Sequence, residues 1–375
     1  MTAKSMPTFL SLFALVLLAQ VAPTRLDAPL AGTESAAIDI EGMGSTTASP
    51  LFQAWIDEYH RLHPQIRLSS QAIGSHGGTR QLLAGESSFA ATDVPIPDAE
   101  LALARRQILA FPVALNAIVP IYSLPGNPEL RFSESTLGGI FLGKIAEWDD
   151  TTIASDNPAV VLPRMDIKVA HHFPSGTVET EIMVDYLSKI SAAFRTTLAD
   201  SSSGANWPVA NAMAGFKGPE GMEQFVRETP GSIGYLPLSI ARLEPADGDE
   251  GKFEYGAVRN SAGEFVTASS ESVAAASAAE IPFIESQAPN FRVSITNAPG
   301  MKSYPIASFI WLDLYENLRE NQKSEATADF LKWILTDGQQ LAAKLGYPAL
   351  PGNLAWVELR RLEAATPKTK TQALR

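Results

Sequence analysis

The sequence predicts an α/β fold of two lobes, with mostly parallel sheets and strands that carry the chain across between the lobes. Three observations lead there. At 375 residues the chain is too long for one ordinary core. From Ala36 onward, strand, loop and helix signals alternate, the pattern of a parallel sheet flanked by helices. Two long apolar, β-rich runs, "ILAFPVALNAIVPIYS" (108–123) and "MKSYPIASFIWLDLY" (301–315), lie far apart, and the segment between them has strand and helix signals of its own. No long Gly/Ser linker joins the two units, so the crossings themselves read as strands.

Taken in order, "AAIDIEGMG" is a buried strand ending in glycines. "SPLFQAWIDEYHRLHP" follows as a helix, with Ser49 expected as its cap and Pro50 in its first turn. Its apolar face is predicted to carry Leu51, Trp55, Tyr59 and Leu62. "IRLSSQAIGS" is a second strand running into the glycine-rich "GSHGG", "TRQLLAGE" a second helix, and "SFAATDVPIP" a third strand that ends in an Asp–Val–Pro loop. The middle unit supplies "TLGGIFLGKIAEWDD", "DIKVAHHFPSGTVETEIMVDYLSKI" and "GMEQFVRETPGSIGYLPLSIA", then a hairpin with "NSAGE" between "FEYGAVR" and "FVTAS". "ATADFLKWILTDGQQLAAKLG" reads as a closing helix before a polar tail. The expected organisation is one lobe over 36–120 plus 302–356, a second over 121–301, and a tail over 364–375.

Lys4 precedes an apolar run from Phe9 to Ala22 and then Pro23, the layout of a secretory signal and too short for a comfortable membrane span. Residues 1–31 are therefore expected to be a signal peptide. Its cut site is open among Ala19, Ala22, Ala28 and Ala31. The expected location is periplasmic or secreted. The chain has no cysteine, which removes disulfides, thiol nucleophiles, thiolate metal sites and a lipid-anchored cysteine together. A formal charge of −12 argues against nucleic acid or anionic lipid as the main partner. It leaves room for a small anion, because a few backbone N–H groups can outweigh the global field locally.

Four separated stretches point to such an anion. "GMGSTTASP" places Thr46 and Thr47 just before a helix, "IGSHGG" places Ser75 in the same position, and "PSGT" places Ser175, Gly176 and Thr177 there again. Each offers free backbone N–H groups at a positive helix end, together with hydroxyl donors. Asp93 in "ATDVP" is the fourth. Taken singly, a Ser or Thr before a helix is an ordinary cap and an Asp before Val-Pro an ordinary turn residue. The combination is sharper, because the loops fall in both units at strand ends, where ligands of parallel sheets gather.

The stretches "GMGSTTASPLFQAW", "IGSHGGTRQLLAGESSFAATDVP", "TLGGIFLGKIAEWDD", "NWPV", "TPGSIGYL" and "YPIAS" resemble the phosphate-binding protein family of ABC phosphate importers, from about Ile38 to Trp356. The resemblance implies a periplasmic binding protein of the venus-flytrap type, two α/β lobes closing over one phosphate. It also implies that Thr46 and Thr47 offer backbone N–H groups, Thr46 its hydroxyl as well, and Ser75 both hydroxyl and N–H. Asp93 would accept the proton of hydrogen phosphate, which is how such a site rejects sulfate. Ser175, Gly176 and Thr177 would hold the anion at a helix start.

Two positions depart from the family. Thr47 stands where the family has an aromatic residue, which matters little if its N–H alone is used. His172 falls at the place of the family's arginine, with the shorter spacer Phe173-Pro174 before "SGT". A permanent bidentate cation is thus exchanged for a donor whose charge depends on pH. Loss of a desolvated charged partner costs on the order of 2–5 kcal/mol, so weakened phosphate binding or a shift to another oxyanion is expected.

Other chemistries fare worse. His76, His171 and His172 as a metal site are disfavoured, since adjacent histidines on an extended segment face opposite ways and no paired carboxylate accompanies them. The sequence has no G-x-S-x-G, H-E-x-x-H or Walker motif, and the serine of "SGT" lacks an orienting acid beside its nearby histidine. Trp55, Trp148 and Trp207 read as packing residues. The expectation is a monomeric solute-binding protein, not an enzyme and without cofactor. It would capture phosphate or a related oxyanion for an ABC permease of the inner membrane. The alternative is a non-transport sensor or interaction module of the same fold with weakened or altered anion binding.

Overall fold

In a computed structural model of the chain, residues 37–172, 177–199, 213–216, 218–242, 254–287 and 291–366 are described. The expected signal peptide, Trp207 and most of the polar tail lie outside them. The first part runs β1 (Ile38–Gly44), α1 (Ser49–Leu62), β2 (Ile66–Ala72), α2 (Ser75–Ala84), β3 (Phe89–Thr92), α3 (Asp98–Leu101) and β4 (Ile108–Tyr122). The middle holds β5 (Arg131–Phe132), α4 (Glu134–Phe141), α5 (Thr151–Asp156), β6 (Lys168–His172), α6 (Val178–Ile190), α7 (Ala192–Ala199), β7 (Met213–Phe216), α8 (Gly218–Glu228), β8 (Ser232–Pro237) and α9 (Leu238–Ala241). Then come β9 (Ala257–Arg259), β10 (Phe265–Val266), α10 (Ser270–Gln287), β11 (Ala307–Tyr315), α11 (Gln322–Leu335), α12 (Gln339–Lys344) and α13 (Gly352–Ala365).

Among the described residues, eight strands form one sheet in the order β2-β1-β3-β11-β4-β8-β6-β7. Its two flanks are parallel, as the strand–helix alternation predicts: β1 with β2 and β3 on one side, β6 with β8 and β7 on the other. The centre is antiparallel, because the two long apolar runs, β4 and β11, lie side by side there. β4 joins the flanks. Residues Ile108 to Ala117 pair with β11, and Ile118 to Tyr122 pair with β8. All 15 of its residues are buried, which a run apolar on both faces requires. The register slips at Ile310/Trp311, opposite Pro112, whose missing N–H breaks the ladder. The Val113 carbonyl is taken up instead by Gln339 Nε2 at 2.8 Å. The expected hairpin forms from β9 and β10, and β5 adds to it as a third strand.

The core follows the periodicity with corrections. On α1 the buried residues are Leu51, Phe52, Trp55, Ile56 and Tyr59; Leu62, expected on that face, is exposed, because the helix ends there. Ser49 is not the cap. Ala48 holds the cap position, and its N–H donates to Ser45 Oγ at 2.8 Å, so a hydroxyl from the preceding loop satisfies the helix start. Trp55 Nε1 donates to Gly338 O at 2.7 Å, fastening α1 to the turn after α11. That turn is a second correction: the expected single closing helix is two, α11 and α12, broken at Thr336–Gly338. A further helix, α13, begins just after Pro351 and reaches Ala365, where a tail was expected to start at 364.

α2 starts earlier than "TRQLLAGE" suggests. The chain turns at Gly74, with φ +80°, and "SHGG" already forms the first turn. Gly78 is required there: a Cβ would lie 2.5 Å from Met43 O and 2.6 Å from Gly44 Cα. The glycines thus let α2 sit directly on β1 and bring Ser75 to the end of the sheet.

Candidate functional site

The carboxyl ends of β1, β2 and β3 lie together, Gly44 pairing with Ala72 on one side and Ala91 on the other. The loops that leave these ends carry the predicted residues. Ser75 opens α2 and is 3% exposed, and Asp93, just past β3, is fully buried. The Asp93 N–H donates to Ser75 Oγ at 3.2 Å, and that hydroxyl faces Asp93 Oδ2 at 3.3 Å. Ser308 of β11 donates to the Asp93 carbonyl at 2.9 Å. Asp93 Oδ1 has no hydrogen-bond partner, although it is buried. Burial pushes the Asp93 carboxyl up to about 7, and the charge of Glu179 adds to the push. The groups that oppose it are the hydroxyls of Ser45 and Ser75, not a cation.

Of the two adjacent threonines, the buried one is Thr47, at 4% exposure, while Thr46 is exposed. The buried hydroxyls of this loop are those of Thr47 and Ser45. Tyr347 Oη donates to the Thr47 carbonyl at 2.6 Å and fixes the loop from behind. The Thr47 hydroxyl reaches across to α6, donating to Glu179 Oε1 at 2.6 Å.

Thr177 caps α6: its side chain accepts from the Thr180 N–H. Ser175 and Gly176 lie outside the described residues. Thr180 in turn shares a 2.7 Å hydrogen bond with the buried Tyr235 hydroxyl of β8. His172, 1% exposed at the end of β6, stands edge-on to the Tyr235 ring, with centroids 5.7 Å apart. It is thereby linked to the start of α6 through Tyr235 and Thr180. His171 is also buried, its Nδ1 3.0 Å from the His172 carbonyl, and burial holds its pKa below the usual histidine range. Both faces of this strand end are covered, so adjacent histidines on opposite faces are both inside.

A second tie reaches α6, this one from α2. His76 Nε2 lies 2.5 Å from Glu181 Oε1, and this carboxylate raises the His76 pKa. Sequence reasoning missed Glu179, Ser45 and this pair. The "VETE" after "SGT" was the available signal, since it places two acids in the first turn of a helix already assigned to an anion.

The arrangement defines a class: hydroxyls and two buried carboxyls gathered where strand ends meet two helix N-termini, with Ser75 engaged by Asp93 rather than by an imidazole. This is the equipment of a binding site. The profile of the PBP superfamily domain matches residues 31–338. A phosphate-binding protein PstS of Xylella fastidiosa (strain 9a5c) is 34% identical over 330 residues, covering 87% of this chain and 85% of the relative. The solved structure of a DING protein superposes with a TM-score of 0.65 at 19% identity, covering 85% of this chain and 93% of the other. A putative phosphate ABC transporter substrate-binding protein of Clostridium perfringens with bound phosphate gives a TM-score of 0.53 at 15% identity, over 84% and 100%. The chain belongs to the PBP superfamily and, within it, to the family of the phosphate-binding protein PstS.

Proposed function

We propose that the protein captures inorganic phosphate, or a closely related oxyanion, between two lobes, 36–120 plus 302–356 and 121–301, and hands it to an ABC permease of the inner membrane. It would work in the periplasm or outside the cell after loss of residues 1–31. The ligand contacts are Ser75, Asp93, His172, Ser175, Gly176, Thr177 and the loop at Thr46 and Thr47.

One observation carries the reading. Asp93 is a buried carboxyl with an unpartnered oxygen, set beside a hydroxyl and the N-terminus of α2. Such an oxygen suits the proton of hydrogen phosphate, and an ionised sulfate brings it none. The family's phosphate-binding members support the same conclusion. A calorimetric panel of phosphate, arsenate, sulfate, phosphonates and nucleotides tests it. Phosphate and arsenate should bind, and sulfate should bind more weakly; a protein that takes sulfate and phosphate equally, or neither, would refute it. The second reading, a sensor or interaction module of the same fold, is favoured by His172 at the arginine's place, and phosphate binding without any permease contact would select it.

A further inference from the structure

Glu179 is the second residue of α6 and only 3% exposed. The helix does not need it as a cap, since Thr177 already receives the Thr180 N–H. An acid in the first turn gains from the helix dipole without being buried, as Glu181 does in the same turn with a side chain 36% exposed. Burying a carboxylate is costly unless something specific receives it. What receives Glu179 is the hydroxyl of Thr47, 132 residues away, in the loop that leaves β1. Its charge is also felt by Asp93.

We infer that Glu179 is a tethered anion: its carboxylate holds the Thr47 hydroxyl that an incoming oxyanion would use, so that phosphate binds by displacing it. This rests on the reading of the cleft as an oxyanion site. The tether is made by one element from each side of the cleft, so Thr47 and α6 are held together before any ligand arrives. It also makes binding an exchange of one anion for another. Phosphate meets a negative charge at the start of α6, and the donor set yields less net affinity than it would alone.

Inorganic phosphate titrated calorimetrically into the parent protein, Glu179→Gln and Glu179→Ala, at one pH and ionic strength, tests this. Both variants should bind about tenfold more tightly or better, because a like charge beside the ligand has been removed. The phosphate-induced rise in melting temperature should be larger in the variants, which also reports that they are folded. A parent that binds phosphate alongside folded variants that bind equally or more weakly overturns the tether and leaves the phosphate reading standing. Parent and variants that all fail to bind overturn both. Phosphoethanolamine that outcompetes phosphate in the parent but not in Glu179→Gln would make Glu179 a ligand contact for a cationic group, and that too overturns the tether.

Discussion

Asp93 and Ser75 hold each other reciprocally: the Asp93 N–H donates to Ser75 Oγ at 3.2 Å, and the same hydroxyl faces Asp93 Oδ2 at 3.3 Å. The pair fixes the carboxyl and leaves Oδ1 unpartnered. Below its pKa of about 7 the carboxyl carries a proton and can donate; above it, it only accepts. Preference for phosphate over sulfate should therefore grow as pH rises through that value, by tenfold or more between about pH 5.5 and about pH 8. Asp93→Asn should lose the pH dependence and bind sulfate more tightly than the parent does. Paired titrations with both anions would show this, and a pH-independent preference in the parent would remove Asp93 from the site.

Buried carboxyls should also govern stability. Burial raises Asp93 and Asp313 to about 7 and Glu358 to about 8. For Glu358 burial outweighs the ion pair with Arg361 at 3.0 Å, and the lowered pKa of Arg361 has the same cause. A folded-state pKa above the unfolded value of about 4 means that the folded chain holds protons the unfolded chain releases. Their contribution is complete below that unfolded value and is lost as pH rises through 7 and 8. Melting temperature should fall across that window. Asp313→Asn, whose site accepts from Thr92 Oγ1 at 2.7 Å, should flatten the fall without altering phosphate binding.

His172 is the next test. A histidine offers single ring N–H donors where an arginine offers a planar bidentate fork. His172→Gln should lower phosphate affinity in a calorimetric titration against the parent. An unchanged affinity would remove His172 from the ligand contacts and leave it its packing on Tyr235.

Gly78 tests the positioning of Ser75. A Cβ there would meet Met43 O at 2.5 Å and Gly44 Cα at 2.6 Å, both backbone atoms that cannot swing away. Gly78→Ala should cost about 1–3 kcal/mol, by analogy with overpacked cores. It should also weaken phosphate binding, since α2 must lift from β1 and carry Ser75 with it. Thermal melting and titration on the same preparation separate the two effects.

Much of this was legible in the sequence because it is local. The apolar runs that became β4 and β11 gave away the crossings, and the glycines of "GMG" and "GSHGG" marked the ends of β1 and β2. The strand-end positions of Asp93 and Ser75 were legible from short stretches, and the structure brings the two together. What stayed hidden was set by partners distant in the chain. Which of Thr46 and Thr47 turns inward depends on a loop pinned by Ser45 and Tyr347, and composition does not report it. The break between α11 and α12 is fixed in part by Trp55, 283 residues from the carbonyl it binds. Glu179 looks like any solvated first-turn acid until Thr47 is seen to hold it.

The most direct test of the central claim is to locate the anion. A crystal structure of the protein grown with arsenate, whose anomalous scattering marks one atom, should place it against Asp93 Oδ1, Ser75 and the N-terminus of α6, with Glu179 released from Thr47. An anion bound elsewhere, or a cleft in which Asp93 Oδ1 stays unpartnered and Glu179 remains on Thr47 at saturating arsenate, would contradict the account.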